Sequence, residues 1–228
     1  LAMSVATDAY QPVERELRLT RRCLEVLAEF RNPVAVITKN HLVTRDIDLL
    51  SELAMVGAVS VSISLTTLDD ELRRRMEPRT SSPRRRLAAI EKLSGAGIPT
   101  SVMVAPVIPG LTDHEMPNLL QAAANAGATS AGYTPVRLPH AVAPLFAGWL
   151  ERNYPERRDK VLNRIREVRG GRLNDPRFGT RMRGEGVYAE HMKSLFEVSC
   201  RRSEISRSRT KLSSKAFRVP TDQPPLFD

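Results

Sequence analysis

The chain has 228 residues, 41% of them hydrophobic, and a formal net charge of +9. That length allows one domain with a substantial core and a small appendage, and the mean hydropathy of −0.29 fits a soluble globular protein. There is no apolar run of roughly 18 residues or more, and no basic segment leading into an apolar one. Neither a transmembrane helix nor a secretory leader is therefore expected, and the cytoplasm is the expected compartment.

Short apolar runs alternate with helical patterns along the first part of the chain. LAMSVA (1–6) reads as a strand, and PVERELRLTRRCLEVLAEF as the helix after it. VAVIT (34–38), VSVSISL (59–65), TSVMVAPV (100–107) and TSAGYTPVRL (129–138) read as four more strands. RDIDLLSELAMVG, SSPRRRLAAIEKLSGAG and HEMPNLLQAAANAG lie between them, with apolar residues at helical spacing and glycine near their ends. The strands read as continuously apolar, as in a parallel sheet covered by helices. The βαβα order points to an α/β fold, either a (β/α) barrel, complete or partial, or an open doubly wound sheet. Five strands are too few to close the usual eight-stranded barrel.

Residues 1–140 are thus expected to form the α/β unit, 141–204 a basic helical region, and 205–228 a flexible basic tail. The charge excess gathers in the last third, in RNYPERRDKVLNRIREVRGGR, RFGTRMRG and CRRSEISRSRTKLSSKAFR. Clustered arginines attract polyanions because each phosphate contact releases counterions. Arg164, Arg166, Arg169, Arg172, Arg177, Arg181 and Arg183 are the candidate nucleic-acid contacts; a solvated basic face is the plainer alternative. The two cysteines, Cys23 and Cys200, lie far apart in sequence, and the four histidines (His41, His114, His140 and His191) show no metal-ligand spacing. Both cysteines are read as ordinary thiols, and no metal site is expected from these residues.

In barrels and open α/β sheets ligands sit beyond the carboxyl ends of the strands. Those ends carry Thr7-Asp8, Thr38-Lys39, Ser64 to Thr67, Val104 to Pro106, and Thr134 to Arg137. One ammonium, one carboxylate, several hydroxyls and an apolar floor suit a zwitterionic, nucleoside-bearing small molecule. Lys39 suits a carboxylate or phosphate, and Asp8 an ammonium or ribose hydroxyls. Each residue also has a local reading: Thr7-Asp8 can cap the helix near Pro12, Lys39 can be a surface turn, and Ser64 can bond its own backbone.

SVATDAYQPVE, VITK, SISLTT, MEPRTSS and VMVAPVIPG, in that order, resemble the radical SAM superfamily. Within it they are most similar to the DNA repair photolyase group related to spore photoproduct lyase. The resemblance covers roughly residues 1–140. It implies a partial (β/α) barrel of radical SAM type, incomplete at its N-terminus, followed by a helical C-terminal region. It also implies that Thr7, Asp8, Lys39, Ser64 and Ala105 bind S-adenosylmethionine. Thr7 and Lys39 would hold the methionine carboxylate, Ser64 would meet the ribose or methionine end, and Ala105 would lie against adenine. Glu77 would pair with an arginine or border the pocket.

Two departures from the family pattern stand out. The CxxxCxxC loop that ligates three irons of a 4Fe–4S cluster is missing. The chain is therefore read as lacking the first part of its protein, with the cluster expected only in the full-length enzyme and an external electron donor implied for it. The other departure is Val5, at the position where the lyase carries a hydrogen-donating cysteine. Near the C-terminus, Gln223, Leu226 and Phe227 resemble the bacterial sliding-clamp-binding peptide, with the clamp as the implied partner. Two other readings compete: an unrelated (β/α) enzyme with a phosphate or carboxylate ligand at Lys39, and a non-catalytic nucleic-acid-binding module.

Overall fold

The computed structural model describes residues 1–4 and 7–220. Its five strands are all parallel and lie side by side in sequence order: β1 (Ala2–Met3), β2 (Val34–Thr38), β3 (Val59–Ser64), β4 (Thr100–Val107) and β5 (Ser130–Pro135). Crossover helices cover one face of the sheet. They are α1 (Glu14–Leu17) and α2 (Leu19–Glu29), then α3 (Ile47–Met55), α4 (Asp70–Met76), α5 (Pro83–Gly95) and α6 (Met116–Asn125). The architecture is the expected partial (β/α) barrel with a helical C-terminal region.

Local chemistry explains the boundaries. The stretch expected as one helix after β1 is two, because Arg18 takes a left-handed conformation at φ 51° between α1 and α2. Helix α4 escaped the periodicity reading because it has only seven residues. Its start is set by Asp69, whose carboxylate accepts from the backbone N–H groups of Glu71 and Leu72. Pro83 opens α5 behind the Ser82 cap.

The expectation of continuously apolar strands is corrected by the sheet. Valines and isoleucines alternate with small or polar residues, and the parallel register aligns the two kinds on opposite faces. Val34, Val36, Val59, Val61, Ile63, Val102 and Val104 are fully buried under the helices, against Leu50, Leu53, Ile90, Leu93, Leu119 and Leu120. Each such side chain contributes roughly 1.5–3 kcal/mol of burial. The inner face carries Ala35, Ile37, Ser60, Ser62, Ser101, Met103, Gly132 and Thr134 instead, and these line a concave cavity of about 680 Å³. Ser62 and Ser101 share a hydroxyl–hydroxyl hydrogen bond of 2.6 Å across β3 and β4.

The remaining helices divide between two cores. Helices α7 (Val142–Asn153) and α8 (Arg158–Val168) flank a short 3₁₀ turn at Pro155–Arg157. Their Leu150, Val161, Leu162 and Ile165 pack with Ile108 and Leu111 after β4 and Val136 and Leu138 after β5, forming a small cluster beside the strand ends. Helix α9 (Val187–Arg202) joins the main core instead, through Met192, Phe196 and Cys200. After α9 the backbone adds to the sheet edge at Ser206, which pairs in parallel with Ser130. It then crosses the amino ends of the strands: Ser213 N–H donates to Gly57 O at 2.9 Å, and Arg218 N–H to Phe30 O at 3.0 Å. This strap floors the inner cavity with Arg207, Ser208, Arg209, Thr210 and Leu212. No helix among the described residues is long and apolar enough to cross a membrane.

Candidate functional site

Period-two alternation decides which strand-end residues face together. Lys39 continues the inner row of Ala35 and Ile37, Ser64 that of Ser60 and Ser62, Ala105 that of Ser101 and Met103, and Thr134 that of Ser130 and Gly132. The structure thus brings three of the expected S-adenosylmethionine contacts, Lys39, Ser64 and Ala105, to one end of one face.

Glu77 ties these three together. Its Oε1 accepts from Lys39 Nζ and lies 3.2 Å from Thr66 Oγ1, whose single hydroxyl proton is shared between it and Ala105 O at 3.1 Å. Its Oε2 accepts from Arg86 Nη2 at 2.8 Å. Arg86 is deeply buried for an arginine, only 1% exposed. It spends its other donors on Ser64 O (3.0 Å), Ser81 O (2.9 Å) and Thr80 Oγ1. Burial pushes the Glu77 carboxyl up, but Lys39 and Arg86 outweigh it and hold the group below the usual carboxylate range. The strand ends of β2, β3 and β4 therefore share one charged hub. Arg86 is the member of this hub that sequence reasoning missed. Its only signal was position, one helical turn inside α5 behind the MEPRTSS loop, within a run of three arginines that looks solvent-facing.

Asp8, in the loop after β1, acts as a bracket. Its Oδ1 accepts from Tyr10 N–H (2.9 Å) and Thr38 Oγ1 (2.6 Å), and its Oδ2 from Lys39 N–H (2.8 Å). Thr7 is exposed beside it. Asp8, Tyr10, Lys39, Asn40, Arg79 and Thr80 line a second cavity of about 410 Å³. The MEPRTSS loop closes on its rim, where Ser81 Oγ accepts from His41 N–H at 2.9 Å and donates to Asn40 Oδ1 at 3.1 Å.

The seven candidate arginines have different fates. Arg169 is 2% exposed; Nη2 donates to Pro135 O and Val136 O, and Nη1 to Arg181 O at 2.8 Å. It is a structural brace with no face left for a phosphate, which removes it from the nucleic-acid set. Arg164 pairs with Glu167 and lies 4.6 Å over the Tyr188 ring. Arg177 is held by Asp175 and Glu185. Arg166, Arg172 and Arg183 are exposed, and Arg181 stacks on Phe178. Val5, Gln223, Leu226 and Phe227 lie outside the described residues.

The sequence matches the Radical SAM superfamily over residues 4–123, more than half of the chain. The chain belongs to that superfamily. An uncharacterized protein of Mycobacterium tuberculosis is 37% identical over 170 residues, covering 74% of this chain and 49% of that relative. Another uncharacterized relative, from Methanocaldococcus jannaschii, is 32% identical over 50% of this chain and 42% of its own length. The chain spans about half the length of the M. tuberculosis relative. Among solved structures, a spore photoproduct lyase mutant with bound AdoMet and dinucleoside spore photoproduct superposes with a TM-score of 0.53 at 20% identity. That match covers 86% of this chain and 56% of the lyase. A second lyase mutant gives a TM-score of 0.52 at 22% identity. These likenesses concern the fold.

The superfamily works with S-adenosylmethionine and an iron–sulfur cluster. The donor set at the strand ends fits the first: Lys39 Nζ keeps donors beyond the one given to Glu77, and Asp8 Oδ2 keeps acceptor capacity, a match for an α-carboxylate and an α-ammonium. The cluster does not fit this chain. It has two cysteines, Cys23 exposed on α2 and Cys200 buried on α9. Two thiols cannot replace three, and no group of metal-ligating side chains forms among the described residues.

Proposed function

We propose that this chain is the S-adenosylmethionine-binding part of a radical SAM enzyme that acts on nucleic acid, in the manner of the DNA repair photolyase group. The observation that carries the reading is the Glu77 hub, which fixes Lys39, Ser64 and Ala105 on one inner face where the strands end. Lys39 binds the methionine carboxylate and Asp8 orients its ammonium. The Ser64 hydroxyl meets the ribose or methionine end, and Ala105 leaves room for the adenine plane. Glu77 and Arg86 keep the Lys39 ammonium from swinging into solvent, so the bound carboxylate finds its partner already placed.

When bound beside an iron–sulfur cluster, S-adenosylmethionine supplies the 5′-deoxyadenosyl radical that abstracts hydrogen from a substrate. The cluster ligands are not in this chain, so the chain alone binds the cofactor without cleaving it. The serine-lined inner face offers a polar substrate chamber, and the exposed arginines beside it favour a phosphate-bearing substrate.

Calorimetric titration of the chain with S-adenosylmethionine, against the Lys39→Met variant, tests this. Losing one charge-assisted contact to a carboxylate is expected to weaken binding by roughly 10- to 100-fold. Unchanged affinity in a variant with wild-type circular dichroism would overturn the pocket.

A further inference from the structure

The loop between α8 and α9 carries an aromatic ring that the fold does not use. Phe178 is 86% exposed, while its surroundings are tightly braced. Asp175, only 4% exposed, accepts from Arg177 N–H, Arg177 Nε and Thr180 Oγ1. Arg177 reaches on to Glu185 at 2.6 Å, and Gly184 N–H donates to Thr180 O at 2.7 Å. From below, Arg169 grips Arg181 O and the end of β5 together. A ring raised on such a loop loses little further freedom when it binds something.

Its chemistry is specific. The Arg181 guanidinium lies 3.9 Å from the Phe178 ring centre on one side, and the exposure of the ring leaves the other side open. Both acidic residues of the loop, Asp175 and Glu185, are taken by Arg177, so Arg172, Arg181 and Arg183 carry the loop's excess positive charge. Gly179, next to Phe178 in the chain, and Arg183 of the same loop line the inner cavity of the sheet. An open aromatic face among arginines, at the edge of a polar chamber, is the arrangement that stacks a base while its phosphates meet the cations.

We propose that Phe178 is a base-stacking residue that holds one unpaired nucleobase, with Arg181 backing the ring and Arg183 taking the adjoining phosphate. A base seated there directs the neighbouring nucleotide toward the inner cavity. The inference rests on the nucleic-acid reading above and adds that the substrate is bound with a base out of its stack.

The test is fluorescence anisotropy of a labelled 12-nucleotide single strand and of the matching duplex, using the full chain and its Phe178→Ala and Phe178→Trp variants. Phe178→Ala is expected to weaken single-strand binding roughly 5- to 100-fold while duplex binding changes little. Phe178→Trp retains affinity, and its emission is quenched as the strand is added. Wild-type protein that binds neither probe overturns the nucleic-acid reading itself. If wild type binds but Phe178→Ala holds single strands equally well, that reading stands and the stacking role falls. An equal loss for both probes also overturns stacking, because it marks a general contact.

Discussion

Replacing Arg86 with methionine removes the guanidinium at the centre of the site while keeping a side chain of similar reach. The variant loses the bonds to Glu77, Ser64 O, Ser81 O and Thr80. Breaking a buried ion pair from one side costs about 3–5 kcal/mol, and Glu77 retains Lys39, which favours the lower half of that range. Two stranded carbonyls add on the order of 1–3 kcal/mol each where water cannot reach them. Losses within one relaxing site are not additive. The expected destabilisation at neutral pH is therefore about 3–4 kcal/mol, or a Tm lowered by roughly 6–16 °C for a chain of this length.

The pH dependence follows from Glu77. Its folded carboxyl sits below the ordinary value of 4.5, so its stabilisation is complete above that value and is lost as pH falls through the folded one. In the variant, Lys39 is the one charge left to oppose burial, the carboxyl moves up, and part of that stabilisation is gone. The gap between wild type and variant is thus widest at neutral pH and narrows in acid, where Glu77 is protonated in both. Urea unfolding at several pH values, with unchanged m-values, measures it. A loss under about 1 kcal/mol at neutral pH, far short of the cost of a buried broken pair, or a gap that widens toward acid, refutes the reasoning.

Asp175→Ala releases Arg177 and Thr180 from the brace, so trypsin should cut at Arg177, Arg181 or Arg183 much faster than in wild type; equal digestion rates would show that Asp175 does not order the loop. Burial pushes the Cys200 thiol up to about 11, whereas Cys23 is exposed, so Ellman's reagent should titrate one thiol in the native protein and both in denaturant. Two fast native thiols would contradict the packing of α9. Gly184 has φ +82°, and a β-carbon there would come within 2.4 Å of Val168 Cγ1 and 3.1 Å of Val168 O. Gly184→Ala should cost about 1–3 kcal/mol by overpacking and strain, read as a fall in the urea midpoint; an unchanged midpoint would mean that α8 yields freely.

The sequence by itself determined the elements whose burial pattern is local. β-branched runs bounded by turns set β2 and β4 at their expected limits, and the strand-turn motifs identified the family before any contact was known. The strand-end rule placed Lys39, Ser64 and Ala105 within a wider set of candidates, because in a parallel sheet the chain itself carries successive ends to one side, and the family resemblance picked them out of that set.

Other features depend on contacts between residues distant along the chain, and only the tertiary structure decided them. Arg86 sits in a basic run that reads as solvated, yet it is buried because a carboxylate nine residues earlier and the end of β3 close over it. Arg169 resembles its neighbours in sequence, but its guanidinium satisfies carbonyls at the end of β5 that would otherwise be orphaned. The segment after α9 looks featureless because its partners are backbone groups at Thr129, Gly57 and Phe30, which carry no side-chain signal. Phe178 differs from a core phenylalanine only in what surrounds it, and the loop that raises it is built by Asp175, Arg169 and Glu185 together. Side-chain periodicity records what a residue's own element needs. The charge and hydrogen-bond partners that decide a site are supplied by other elements, so they appear only when the chain is folded.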